Sequence, residues 1–149
     1  MFRLSKGAEY AIRGILHLSM QPEGKVSFVE EIGEAQDVPK AYLAKIFQSL
    51  TKKGFLKSTR GQGGGFTLIK PPAEITVNEV IEAMEGPIYL NDCLVSKDAC
   101  ERETFCPVHE LWQKAQTSFM DVIINCTFEE LAKAGKVKRE KCESKSGAA

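Results

Sequence analysis

Arg60-Gly61-Gln62-Gly63-Gly64-Gly65 places four glycines in six residues, between Phe55-Leu56-Lys57-Ser58-Thr59 and Phe66-Thr67-Leu68-Ile69. Two short apolar-rich segments around a glycine loop predict a β-hairpin. Pro71-Pro72 then ends the pairing, since proline has no N–H to donate to a ladder. A phosphate-binding loop of an NTPase fits less well. It needs G-x-x-x-x-G-K-[ST], and no Lys-Ser/Thr follows these glycines.

Three helical patterns precede the hairpin. Ser5 is a candidate N-cap for a helix over about Lys6–Met20, with Tyr10, Ile12, Ile15, Leu16 and Leu18 at helical spacing. Ser27 and Glu30 have the spacing of a capping box for a second, short helix reaching about Gln36. Asp37-Val38-Pro39 interrupts, and Pro39 suits the first turn of a third helix. In that helix Leu43, Ile46, Phe47 and Leu50 form one apolar face, and Gly54 closes it. A helix pair with a tight turn, followed by a glycine-tipped hairpin, describes a winged helix-turn-helix. The fold class expected is mainly α with a small β-wing.

In such a motif the second helix enters the major groove, with its N-terminal residues at base edges. Those residues are Lys40, Ala41, Ala44 and Lys45. Arg60, with Gly61 and Gln62 beside it, stands at the hairpin turn, where an exposed arginine can enter a minor groove. Charge agrees with double-stranded DNA as the partner. Residues 1–70 carry 11 Lys/Arg against 6 Asp/Glu, and Lys40–Lys70 holds seven basic residues and no acidic one. An ordinary solvated face is the competing explanation.

Downstream, Thr76 and Glu79 make a second capping box, and Gly86-Pro87 stops the helix they open. A long helix is predicted over about Pro107–Asn125, with Leu111, Ala115, Phe119, Val122 and Ile123 on one face and Trp112 beside it. Thr127 and Glu130 cap a last short helix that Gly135 is expected to close. The organisation expected is a DNA-binding unit at 1–72, a loop and helices at 73–135, and a disordered, charged tail at 136–149.

Between Gly86-Pro87 and the first turn of the long helix lies C-x6-C-x5-C-x2-H: Cys93, Cys100, Cys106 and His109 within 17 residues. Thiolates and imidazole together suit zinc or an iron–sulfur cluster. Structural zinc sites normally show shorter C-x2–4-C spacings, so the wider gaps favour a larger inorganic core. The chain lacks a signal-peptide h-region and any run of roughly 20 apolar residues, so it is expected to be cytoplasmic, with no membrane partner. Structural disulfides are rare there. A cluster-free redox regulator that uses the three thiols reversibly remains an alternative. Only His17 and His109 are available as histidines, and no nucleophile motif accompanies them, so neither an enzyme nor a small-molecule substrate is expected.

Leu4-Ser5-Lys6-Gly7 with Tyr10-Ala11, Tyr42-Leu43 with Ile46-Phe47 and Leu50, Lys53-Gly54, the Arg60–Phe66 wing, and the cysteine loop with Leu111-Trp112 together resemble a known family. It is the IscR- and NsrR-type family of winged-helix iron–sulfur transcription regulators, and its IscR-like members most of all. The resemblance covers about residues 1–132. It implies a homodimer in which the long helix packs against its partner's, so that Leu111, Ala115, Phe119, Val122 and Ile123 become interface residues. It implies one cluster per subunit on the loop cysteines, with 2Fe–2S slightly ahead of 4Fe–4S, and DNA binding tuned by cluster state. His109 matches the IscR-like fourth ligand, and imidazole is a good ligand for iron beside thiolates. Glu9 matches the position at which NsrR-like members supply a carboxylate from the partner subunit. The resemblance places base contacts at Pro39, Ala41, Ala44 and Lys45, but Ala44 and Lys45 stand where the IscR-type protein is polar or acidic, so no operator sequence is implied.

Overall fold

The computed structural model describes residues 3–62 and 64–147. Gly63 of the glycine loop, Met1-Phe2 and Ala148-Ala149 lie outside the described residues. The Ser5 hydroxyl accepts from the Ala8 N–H and starts α1 (Lys6–Ser19), which buries Ala8, Ala11, Ile15 and Leu18. In α2 (Val29–Gln36) only Ile32 and Gly33 are buried. The turn to α3 (Lys40–Lys52) passes through Asp37 in the left-handed region, and the Val38 N–H donates to the Gly33 carbonyl at 2.9 Å. Leu43, Ile46, Phe47 and Leu50 of α3 are buried, as their spacing predicts.

The hairpin is β1 (Leu56–Thr59) against β2 (Gly65–Leu68), antiparallel, with Leu56 opposite Leu68 and Thr59 opposite Gly65. Its second strand carries a third partner. The Ser27 N–H donates to the Phe66 carbonyl at 3.1 Å, and the Phe66 N–H to the Ser27 carbonyl at 2.9 Å. This corrects the capping box expected at Ser27 and Glu30. Ser27 is fully buried as a strand partner, and Phe28 takes the N-cap position without a side-chain bond. The approach is so close that a Cβ on Gly65 would lie 2.4 Å from the Ser27 carbonyl oxygen. A perpendicular Phe47–Phe66 ring pair, with centroids 5.0 Å apart, pins the wing to α3.

Both downstream capping boxes form. Thr76 and Glu79 open α4 (Val77–Glu85), and Thr127 and Glu130 open α6 (Phe128–Ser146). Between them α5 spans Pro107–Asn125, with Pro107 in its first turn. Ile75, Val80 and Phe128 join Ile15, Leu43, Phe47 and Leu50 in one hydrophobic cluster, so the core is continuous across the boundary expected near residue 72. The stop expected at Gly135 is absent. A Cβ there would meet the Met20 Sδ and Cε at 3.3 Å, so this glycine serves close packing rather than helix termination. The residues beyond it, rich in Lys, Glu and Arg, are good helix formers. Accordingly Lys136–Ser146, expected to be disordered, is the second half of α6.

Gly14 offers a stability test. A Cβ built on it would lie 2.4 and 2.7 Å from two ring carbons of the fully buried Phe47. Overpacking of this kind costs about 1–3 kcal/mol. The better helix propensity of alanine offsets about 1 kcal/mol of that. Gly14→Ala is therefore expected to lower the denaturant midpoint, and a variant as stable as the parent would show that the ring yields.

Candidate DNA-binding face and cysteine loop

Lys40, Ala41, Lys45, Gln48 and Lys52 are exposed along one side of α3, opposite its buried stripe, with Ala44 half-buried among them. Pro39 is exposed at the N-cap. This face carries three lysines and no acid of its own, as a phosphate-facing surface requires. Not every lysine expected there stays. The Lys53 Nζ turns to the Ala83 carbonyl at the end of α4. Lys40 is ion-paired with Glu30 of α2, a partner that local spacing had assigned to a capping box.

At the wing tip Arg60, Gly61 and Gln62 are all exposed. Gly61 adopts φ +101°, a backbone that disfavours side-chain-bearing residues. The Gly64 N–H donates to the Gly61 carbonyl at 3.0 Å, closing the turn that presents Arg60.

The cysteine loop begins where Gly86-Pro87 ends α4. Gln116 of α5 clamps its first arm, donating from Nε2 to the Ile88 carbonyl at 2.7 Å and accepting from the Leu90 N–H at 2.8 Å. A 3-10 turn at Asp92–Leu94 carries Cys93. Asp98 turns through positive φ, and its N–H donates to Glu103 at 3.0 Å. The loop returns through Cys106, the N-cap residue of α5. Cys93, Cys100 and Cys106 are free, half-buried thiols.

His109 is the one buried residue of α5, 5% exposed, and neither ring nitrogen has a hydrogen-bond partner. The nearest carboxylate oxygen, on Glu103, is 3.9 Å from Nε2, too far for a hydrogen bond. Buried polar groups are almost always partnered. An orphaned imidazole beside free thiols therefore fits a metal centre. Cys93, Glu103, His109 and Gln116 line one cavity; Cys100 and Cys106 lie outside its lining. Among the described residues, no three His, Cys, Asp or Glu side chains converge closely enough to hold a metal ion. Glu9 is instead held by Lys6 and Arg13 on its own helix, at 3.0 and 2.9 Å. The Lys6 hydrogen bond draws its carboxyl below the usual range. Cys126 is half-buried after α5, and burial pushes its thiol up, as for an inert structural cysteine.

Gln116, Glu103 and the Glu30–Lys40 pair escaped the sequence reading. For Gln116 one signal was present: it lies two helical turns after His109, on the same face.

A helix-turn-helix with an arginine-tipped wing defines a winged-helix DNA-binding protein. The chain belongs to the Rrf2 family of iron-dependent transcriptional regulators, which it matches over residues 4–134. It is 30% identical to a Haemophilus influenzae protein named as an HTH-type transcriptional regulator, over 93% of this chain and 91% of that one. It is similar to CymR, the global cysteine regulator of B. subtilis, with TM-score 0.76 and 25% identity over 90% of this chain and 98% of that one. IscR of T. potens shares the fold, with TM-score 0.70 and 24% identity over 89% and 88%. The protein is thus a DNA-binding transcriptional regulator, and its relatives are named as regulators rather than enzymes. Among the described residues no helix is long and apolar enough to cross a membrane.

Proposed function

We propose that this regulator binds operator DNA as a homodimer and holds an iron–sulfur cluster on its loop, with cluster state tuning DNA binding. The observation that carries this reading is His109, a buried imidazole with two unpaired nitrogens sharing a cavity with Cys93. Cys93, Cys100, Cys106 and His109 would hold the group, and Glu9, tied to Lys6 and Arg13, is the weaker fourth candidate. When bound, the cluster supplies a centre whose redox state or loss alters the charge and order of the loop. The chain's own residues carry that change to the DNA face. Gln116 fixes the first arm of the loop, and Gly86-Pro87 joins that arm to α4. Glu85 at the end of α4 accepts from the Ser5 N–H at the start of α1. Lys53 at the end of α3 donates to Ala83. Purification without oxygen, followed by visible spectroscopy and iron and sulfide analysis, tests the reading.

A second reading is a cluster-free thiol regulator. The dispersed loop thiols and the likeness to CymR favour it. A colourless anaerobic preparation whose DNA binding responds to reversible oxidation of Cys93, Cys100 and Cys106 would establish it. A colourless preparation holding stoichiometric zinc would point to the structural metal instead.

For DNA, the wing and the recognition helix make different contributions. Arg60→Ala is expected to weaken a duplex selected by the protein from a randomised pool by about 1–3 kcal/mol, and unselected DNA by less. Lys52→Ala, an exposed phosphate-type lysine, is expected to weaken both about equally. Titrations at fixed salt separate the two. Equal losses for Arg60→Ala on both duplexes would reduce the wing to a backbone anchor.

A further inference from the structure

Lys40 is the first residue of α3, and its ammonium pairs with the Glu30 carboxylate of α2. The pair is open to solvent, with 63% and 55% of the two side chains exposed. Hydrogen bonding from Lys40 holds the Glu30 carboxyl below the usual carboxylate range. Glu30, Glu34 and Asp37 line a notch beside Pro39 and Lys40.

Helix stability does not explain a lysine at this position. The N-terminus of a helix carries partial positive charge and favours anions. Here α3 starts without a side-chain cap and without an acidic residue in its first turn. A cation at that end is useful to something outside the helix, and the recognition position makes that something DNA. Glu30 stands in its way. We propose that Glu30 competes with the DNA backbone for Lys40. In the free protein it holds the ammonium, and a duplex displaces it before Lys40 reaches a phosphate.

The proposal rests on reading α3 as the recognition helix. Because exposed ion pairs are weak, the competitor moderates binding without abolishing it. Its removal changes affinity by about two- to fivefold. Lys40 meets a phosphate in the complex either way, so the number of phosphates neutralised, and with it the salt slope, stays close to the parent's.

Glu30→Gln, Lys40→Gln and the double variant, titrated with mixed-sequence duplex over a range of salt, test this. Both side chains are exposed, and circular dichroism checks that the fold is kept. Glu30→Gln is expected to bind about two- to fivefold tighter, with the slope of log K against log salt close to the parent's. Lys40→Gln is expected to bind more weakly with a shallower slope, and in its background the Glu30→Gln gain should largely vanish. An undiminished gain in the Lys40→Gln background would overturn the proposal, since the carboxylate would then act by general repulsion alone. So would no gain at all while Lys40→Gln still weakens binding. If Lys40→Gln itself leaves affinity and slope as in the parent, α3 does not meet DNA, and the recognition-helix reading falls together with the proposal.

Discussion

Anaerobically purified Cys93→Ala, Cys100→Ala and Cys106→Ala proteins are each expected to lose most of the visible chromophore, iron and sulfide that the parent holds. Iron–sulfur clusters are held by thiolates. Removing a direct ligand should cost more than the roughly 10–100-fold that follows loss of an outer partner of a metal site. Cys126→Ala is the control. Its thiol is half-buried and pushed up by burial, so its loss should leave the metal content unchanged. His109→Ala is expected to retain less cluster, or one with altered spectra, because its two unpaired ring nitrogens are buried in a cavity that Cys93 also lines. Glu9→Ala should keep the parent spectrum, since Lys6 and Arg13 already neutralise that carboxylate. Parental iron and sulfide in all three loop-cysteine variants would remove the ligand assignment. Loss in Glu9→Ala but not in His109→Ala would move the fourth ligand to the partner subunit's α1.

The elements that local chemistry determines were legible in the chain. The capping boxes at Thr76 and Thr127 form because each joins a side chain to a backbone N–H three residues away. The limits of α5 follow from Pro107, suited to a first helical turn, and from the end of the apolar pattern. Ser27 and Glu30 have the same spacing and form no box. The Ser27 backbone is taken by Phe66, which lies across the hairpin and outside any local window. Gly135 failed as a stop signal for the same kind of reason, since its neighbour Met20 comes from a distant helix. Local patterns specify local bonds, and long-range pairing overrides them.

The candidate site was legible in its donor types and not in its arrangement. Three thiols and an imidazole are recognisable whatever their geometry. Gaps of six and five residues have no helical or strand period to place them in space. His109 shares its cavity with the arm that Gln116 clamps, and the sequence signals that glutamine's role only by its place two helical turns after His109. On the DNA face the exposed lysines of α3 followed directly from its 3.6-residue period. The withdrawal of Lys53 to Ala83 did not, because α4 lies far along the chain.

The second large effect concerns the proposed dimer. A 19-residue helix that fully buries only His109 within its own subunit leaves part of its apolar stripe to solvent. Val108, Leu111 and Val122 are 51%, 59% and 69% exposed, with Ala115 and Phe119 half-buried along the same stripe and Ile123 half-buried at its edge. Fully burying side chains of this size is worth about 1.5–3 kcal/mol each. A two-fold axis along the stripe buries every one of them twice. Leu111→Glu and Val122→Glu are the informative changes, because both side chains point outward and their loss leaves the subunit core alone. Each sets a carboxylate against an apolar patch and, by symmetry, a second carboxylate on the partner's copy. Sedimentation equilibrium is expected to show the double variant as a monomer. Its affinity for a two-half-site duplex should fall by about 10²–10⁴, the advantage of linking two binding modules. Ile124→Glu is the matched control. Ile124 is 46% exposed but sits across the helix from the stripe, so the dimer should survive its replacement. A double Leu111→Glu, Val122→Glu protein that still sediments as a dimer would place the interface on another surface. Dissociation by Ile124→Glu alone would rotate the interface to the opposite side of α5.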